Sequence, residues 1–414
     1  MSTLLQPLSA SNRDRNIDIL RGFALAGVLF MFCVSDNGPS YGYTNSLSDE
    51  ILSWFKYIFI ESRMYTMLII IFGIGFHVQL EKAKQKNESL VPVFTRRIIG
   101  LLVIGFIHAI ILSKRDILMF YGAAGIILLL VRNASVKQLL LFMGILFYII
   151  VPLMQRNLPN GWPKAAALVE PNDYPEYFQY NWQFFKYYHQ VYGIYTEMLF
   201  FFMLGFVVSK SGIFQKIKEN KIFRKRLLIA AIIASVVFIP FWYWLEPNIL
   251  EPLWDKVSNK TALFFLSLGF RSLWELWMLT SATLYGILLI ILASKIKGKK
   301  VLALLASFGQ MALSNYLIQS LMLVPYLLIT DKIRGIAPTE GLITFIVVMT
   351  LQLIFSQWWM SKYKLGPFEW LLRSFTYWKW QSLKKPLQTE FNHEKQMVTV
   401  TSPYSYKNYP IKNL

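Results

Sequence analysis

Along the chain, long apolar runs alternate with short connections rich in Lys, Arg, Pro and Gly. The runs cover 17–35, 51–80, 98–112, 117–131, 138–154, 191–209, 227–245, 271–294, 301–329 and 339–360. Most approach or exceed the ~18–20 apolar residues that cross a ~30 Å hydrocarbon layer. A backbone in that layer must satisfy its own hydrogen bonds, so the runs predict helices. The fold class is therefore all-α, a polytopic membrane bundle of about ten transmembrane helices. Residues 1–16 lead in, 17–380 form one transmembrane domain, and the polar, aperiodic 381–414 read as a disordered tail. Arg13, Arg15 and Arg21 preface the first run as in a secretory signal. No small-x-small cleavage site follows, so the run reads as a retained helix.

Composition narrows the class further. The chain is 55% hydrophobic and only 16% charged, whereas a soluble domain carries about 25% charge. One Cys and four His exclude a disulfide framework and most zinc motifs, and no metal site is expected. The net charge of +19 would suit nucleic acid, but its placement offers a simpler account. With the N-terminus inside, the inner connections hold Lys82, Lys84, Lys86, Arg96, Arg97, then Lys210 to Arg226, then Lys295 to Lys300. The outer ones hold far fewer. This bias puts both termini on the cytoplasmic side and makes the lipid bilayer, not nucleic acid, the expected partner. The outer connections 155–190 and 246–270 are rich in Pro and aromatics, including Tyr174, Tyr177 and Trp182. They read as interface anchors or a lid at headgroup level; a sugar-stacking surface is the second reading.

Ionisable residues inside apolar runs are costly, so each is a functional candidate whose partner must be named. Asp18 and Arg21 lie three apart and share a helix face. They read either as a surface cap or as an anion-binding Arg held by Asp18. Arg63 and Glu61 are two apart and cannot face each other on a helix. The third and fourth runs hold only 15 residues each between their flanking charges, about 22 Å. A short hairpin implies a sunken tip and an outward-facing, water-filled vestibule. His108 would border that vestibule, with Asp116 fixing its tautomer and leaving the other nitrogen as a base. Glu197 could line the same space. Asn315 and Gln319 share a face of the ninth run, with Ser320 beside them; they read as helix glue or as a substrate-orienting strip.

Four stretches together carry a resemblance. They are Ile17-Asp18-Ile19-Leu20-Arg21-Gly22, Phe72-Gly73-Ile74-Gly75-Phe76, Gly105-Phe106-Ile107-His108-Ala109 with Asp116 to Tyr121, and Gly309 to Ser320 with Gly366-Pro367-Phe368-Glu369-Trp370. The chain resembles the YeiB-like bacterial membrane proteins known by their domain of unknown function 418. That family is in turn similar to transmembrane acyltransferases such as the heparan glucosaminide acetyltransferases, which share an Asp-x-x-Arg-Gly opening and use a membrane-embedded histidine. The Arg-to-His spacing of the sugar O-acylating enzymes is absent here. The resemblance implies a multi-pass protein of a bacterial cytoplasmic membrane. It implies acyl transfer from a cytosolic acyl-CoA co-substrate to a sugar or lipid acceptor on the far side, with no permanently bound cofactor. His108 and Asp116 would be catalytic, and Asp18, Arg21, Arg63, Glu197, Asn315 and Gln319 would bind substrate. A transporter of a small metabolite or lipid-like molecule, and a non-catalytic membrane partner, stay open as other readings.

Overall fold

The computed structural model describes residues 14–34, 46–85, 89–113, 116–150, 173–188, 192–241, 248, 257, 259–295, 300–330, 332 and 336–385. His189, His393, Lys114, Arg115 and residues 386–414 of the expected tail lie outside them. Among the described residues the secondary structure is helical, with one isolated antiparallel bridge between Tyr363 and Lys384.

Helix α1 (Arg15–Cys33) starts where the Asp14 carboxylate accepts the Asn16 N–H at 3.0 Å, a side-chain cap for an otherwise open helix end. The end of the bundle that holds Asp14 is called basal below, and the opposite end apical. α2 (Leu47–Phe55), a π turn (Lys56–Ile60) and α3 (Arg63–Gln85) make up the second run. The π turn continues α2 directly, and Glu61 with Ser62, the latter at φ 61°, separates it from α3. α4 (Val91–Ile111) climbs from the basal end and α5 (Leu118–Leu130) returns.

The remaining helices are α6 (Val136–Ile145), α7 (Tyr174–Tyr188), α8 (Tyr192–Lys210), α9 (Ile213–Glu219), α10 (Lys221–Pro240), α11 (Lys260–Lys295), α12 (Lys300–Gln310), α13 (Ala312–Ile329), α14 (Pro338–Lys362) and α15 (Pro367–Tyr377). Among the described residues, six helices are long and apolar enough to cross a membrane: α1, α2–α3, α4, α11 from Leu268, α13 and α14. The pair α8–α9, bent by 62°, passes the same test only when its two helices are counted as one span, which brings the number to seven at most. The chain is thus a multi-pass helical membrane protein.

The helices depart from the predicted runs at particular places. α4 has 21 residues, about 32 Å, because it extends back through Arg97 and Arg96 to Val91. It is not the short element expected; only α5, with 13 residues, is. The run 301–329 is two helices, broken at Met311. α7 occupies part of the expected outer loop 155–190, and α11 begins inside the expected loop 246–270.

α1 is the axis of the bundle, packed against α3, α12 and α14, while α3 packs against α8. Leu25, Ile69, Phe76, Phe201, Phe206, Trp277 and Phe308 fill the space between them. Val103, Ile107, Val236 and Ile346 point outward from α4, α10 and α14. An apolar outer face of this kind is solvated by lipid rather than water.

Candidate functional site

His108 stands in the last turn of α4 and is 1% exposed. Its Nδ1 lies 2.8 Å from Oδ1 of Asp116, and its Nε2 lies 2.8 Å from Oγ of Ser320 on α13. A carboxylate only accepts, so Nδ1–H donates to Asp116; in the neutral imidazole Nε2 is then the acceptor and the Ser320 hydroxyl donates to it. Asp116 is itself held in place. Its Oδ2 accepts the Met119 N–H at 2.8 Å, and its Oδ1 lies 3.5 Å from the Tyr316 hydroxyl. Gly105 makes this approach feasible, because a Cβ there would stand 2.7 Å from Oδ2 of Asp116.

Among the described residues His108 is buried rather than bordering a wet vestibule. α7 closes the apical end over His108. Tyr177 donates to the Leu112 carbonyl at 2.9 Å, Tyr174 to Ile111 at 3.3 Å and Asn181 to Ile110 at 3.2 Å. These are carbonyls that the end of a helix leaves open, so the aromatic segment serves as the cap of α4.

The large cavity, of about 570 Å³, lies on the other side and opens at the basal end. Lys82, Arg97, Lys218 and Arg373 stand at its mouth with Asp14 and Glu81. Leu25, Leu68, Leu90 and Phe94 line its walls, and Asp18, Arg21, Tyr121 and Tyr316 line it deeper in. Arg21 pairs with Asp18 at 3.5 Å and lies 5.5 Å from the centre of the Phe72 ring. The Tyr316 ring faces the cavity and also sits 4.9 Å from the imidazole of His108. One aromatic ring therefore separates the cavity from the Asp116–His108–Ser320 chain.

The other predicted residues lie elsewhere. Arg63, 1% exposed, stacks 3.9 Å over Trp277 and donates to the carbonyls of Tyr57 and Glu61 at 2.7 and 2.6 Å. It thereby closes the break after the π turn. Glu197 accepts from the Tyr65 hydroxyl at 3.0 Å. Asn315 and Gln319 face α14, not the cavity: Asn315 donates to Ser356 at 2.9 Å and Gln319 to Gln352 at 3.2 Å. These helix-to-helix amide contacts have the geometry of the helix-glue reading. Ser320 and Tyr316, by contrast, join the site. Their spacing of four put them on one face of α13, which was the available signal. Among the described residues no three His, Cys, Asp or Glu side chains gather as a metal site would require.

Residues 208–379 match the family model described as "Protein of unknown function (DUF418)". Over nearly its full length the chain is also similar to bacterial relatives. It is 26% identical to the uncharacterized protein YxaH of Bacillus subtilis, covering 92% of this chain and 98% of the relative. It is 22% identical to the uncharacterized protein YeiB of Escherichia coli, covering 88% and 96%. The chain is thus similar to the YeiB-like DUF418 proteins, through the family match in its C-terminal half and these full-length likenesses. An uncharacterized 39.9 kDa protein of Bacillus acidopullulyticus is similar over 90% of this chain and 96% of its own, at 24% identity. The DUF418 match holds Tyr316, Ser320 and Glu369. The full-length likenesses extend to the half that carries Arg21, His108 and Asp116.

Proposed function

We propose that the chain is a transmembrane acyltransferase of the cytoplasmic membrane, with both termini and the cavity mouth on the cytosolic side. The observation that carries this reading is His108 held at 2.8 Å by a carboxylate on one nitrogen and a hydroxyl on the other, one ring away from a deep cavity. Carboxylate–imidazole–hydroxyl is the arrangement that draws a proton from an oxygen nucleophile, recognised by geometry rather than by sequence order. Asp116 fixes the tautomer and stabilises the imidazolium that forms; Nε2 is the base. The mouth supports an anionic donor, since Lys82, Arg97, Lys218 and Arg373 suit the phosphates of an acyl-CoA. The apolar walls suit the carrier arm and acyl group.

In this scheme the acceptor, a sugar or lipid hydroxyl or an amine, loses its proton to Nε2 as its O or N attacks the acyl carbon. The C–S bond breaks and the thiol leaves with the proton from the imidazolium. Tyr316 must swing aside for donor and base to meet.

The test is thiol release and acyl transfer by the full chain in lipid nanodiscs, with short- and long-chain acyl-CoA. Activity lost in His108→Ala supports the reading. Full activity in that variant overturns it, as does ligand uptake into proteoliposomes with no chemical change of the ligand.

A further inference from the structure

Deep in the cavity, Tyr121 is 5% exposed and its ring forms part of the wall. Its hydroxyl is buried and has no hydrogen-bond partner among the described residues. The polar groups around it are differently placed. Tyr316 has Asp116 and the Ile117 N–H within reach, and Glu369 accepts from Ser314. A buried hydroxyl is normally satisfied, so an unmet one beside a cavity calls for an acceptor from outside the chain. The surroundings define that acceptor. The Tyr121 ring lies 4.2 Å from the Phe72 ring, and the Arg21 guanidinium lies 5.5 Å from the centre of that same ring. A phenolic O–H whose ring shares the Phe72 neighbour with a cation suits an oxygen that carries or gains negative charge. The surrounding apolar wall strengthens the interaction by excluding water.

We infer that Tyr121 donates its hydroxyl hydrogen bond to the carbonyl oxygen of the bound acyl thioester, with Arg21 supplying the favourable field. This deepens the acyl-transfer reading and rests on it. As the acceptor attacks, the carbonyl π pair moves onto oxygen, and a preplaced O–H stabilises that oxyanion more than it does the ground-state carbonyl. When the C–S bond breaks, the pair returns and the carbonyl reforms. Tyr121 keeps its proton throughout. It is thus a catalytic residue by contact, distinct from the base.

The experiment compares two non-reactive probes on the full chain in nanodiscs. One is coenzyme A; the other is a ketone analogue of acetyl-CoA, in which a methylene follows the sulfur so that no thioester bond can break. Calorimetry should show the ketone binding about fivefold tighter than coenzyme A, the size of one neutral hydrogen bond. Tyr121→Phe keeps the ring and should abolish that advantage while leaving coenzyme A affinity within about twofold. With a carbon-13 ketone, the infrared C=O stretch should shift upward in Tyr121→Phe, a change that loss of packing alone would not cause. An advantage and a stretch that both survive the substitution overturn the Tyr121 assignment and leave acyl transfer standing. Binding of neither probe by the unaltered protein overturns both.

Discussion

Gly22 of α1 and Gly309 of α12 cross with no room for a side chain on either. A Cβ on Gly22 would run into the Leu305 carbonyl oxygen, and one on Gly309 into that of Asp18. Both obstacles are backbone, so neither can rotate away. This close crossing, of the kind small residues permit in membranes, sets the register of α1 and brings Asp18 and Arg21 to the cavity. Gly309→Ala should therefore lower stability by about 1–3 kcal/mol, the usual cost of overpacking. The melting temperature in detergent should drop. Gly75→Ala is the control, because a Cβ at Gly75 meets nothing within 4 Å. Equal melting of the two variants would contradict the account.

The two ends of the imidazole should respond differently to substitution. Asp116→Asn removes the negative charge and, with its one oxygen on the Met119 N–H, turns an NH2 donor toward His108 Nδ1; this favours the wrong tautomer, and activity should fall by orders of magnitude with modest loss of stability. Ser320→Ala takes away the hydroxyl on Nε2 but leaves the base intact. It should retain measurable acyl transfer and cost about 1–3 kcal/mol for the unmet buried nitrogen. Thiol-release kinetics and thermal melts on the same samples check both. Total loss of activity in folded Ser320→Ala would instead make Ser320 the oxygen that attacks the thioester.

Gly105→Ala offers a geometric test of the same pair. The added methyl would crowd Oδ2 of Asp116 and the Met119 amide, each at 2.7 Å. Asp116 must then shift from His108. Acyl transfer should fall more steeply in Gly105→Ala than in Gly144→Ala, where a Cβ meets nothing within 4 Å. Comparable rates in the two would show that the pair tolerates displacement.

How much of this was legible in the sequence depends on how local each cause is. The first helix, Arg15–Cys33, nearly coincides with the 17–35 run because one uninterrupted apolar stretch decides it. The pairing of His108 with Asp116 was also readable, since only the α4–α5 turn separates them. The break at Met311 was not. Apolar character continues across it, and what starts α13 is a carboxylate from Glu369 on α15, 56 residues away. The burial of His108 was missed for a similar reason. The cap on α4 comes from Tyr174, Tyr177 and Asn181, in a segment whose aromatics read equally well as headgroup anchors. Ser320 sits 212 residues from His108, and no spacing rule reaches that far.

The Glu369 link also carries a pH dependence with a definite sign. Oε1 accepts the N–H of Leu313 at 2.6 Å and of Ser314 at 3.1 Å, tying α15 to the first turn of α13. Oε2 accepts from the Ser314 hydroxyl. A carboxylate at a helix N-terminus is favourable, but burial outweighs these bonds and pushes the Glu369 carboxyl above its ordinary value. The folded state therefore holds this proton more tightly than the unfolded chain does. The group's contribution to stability is then fully present below the ordinary carboxyl value, near 4.5. It is lost as pH rises through the raised one. Melting temperature should fall over that interval in the unaltered protein. Glu369→Gln keeps an oxygen for the two amides and cannot titrate, so its curve should be flatter and should meet or exceed the unaltered one at high pH. Glu369→Ala removes the cap at every pH and should cost about 1 kcal/mol. If the Glu and Gln forms melt in parallel from acid to neutral pH, the carboxyl does not titrate in this range and the predicted coupling is absent.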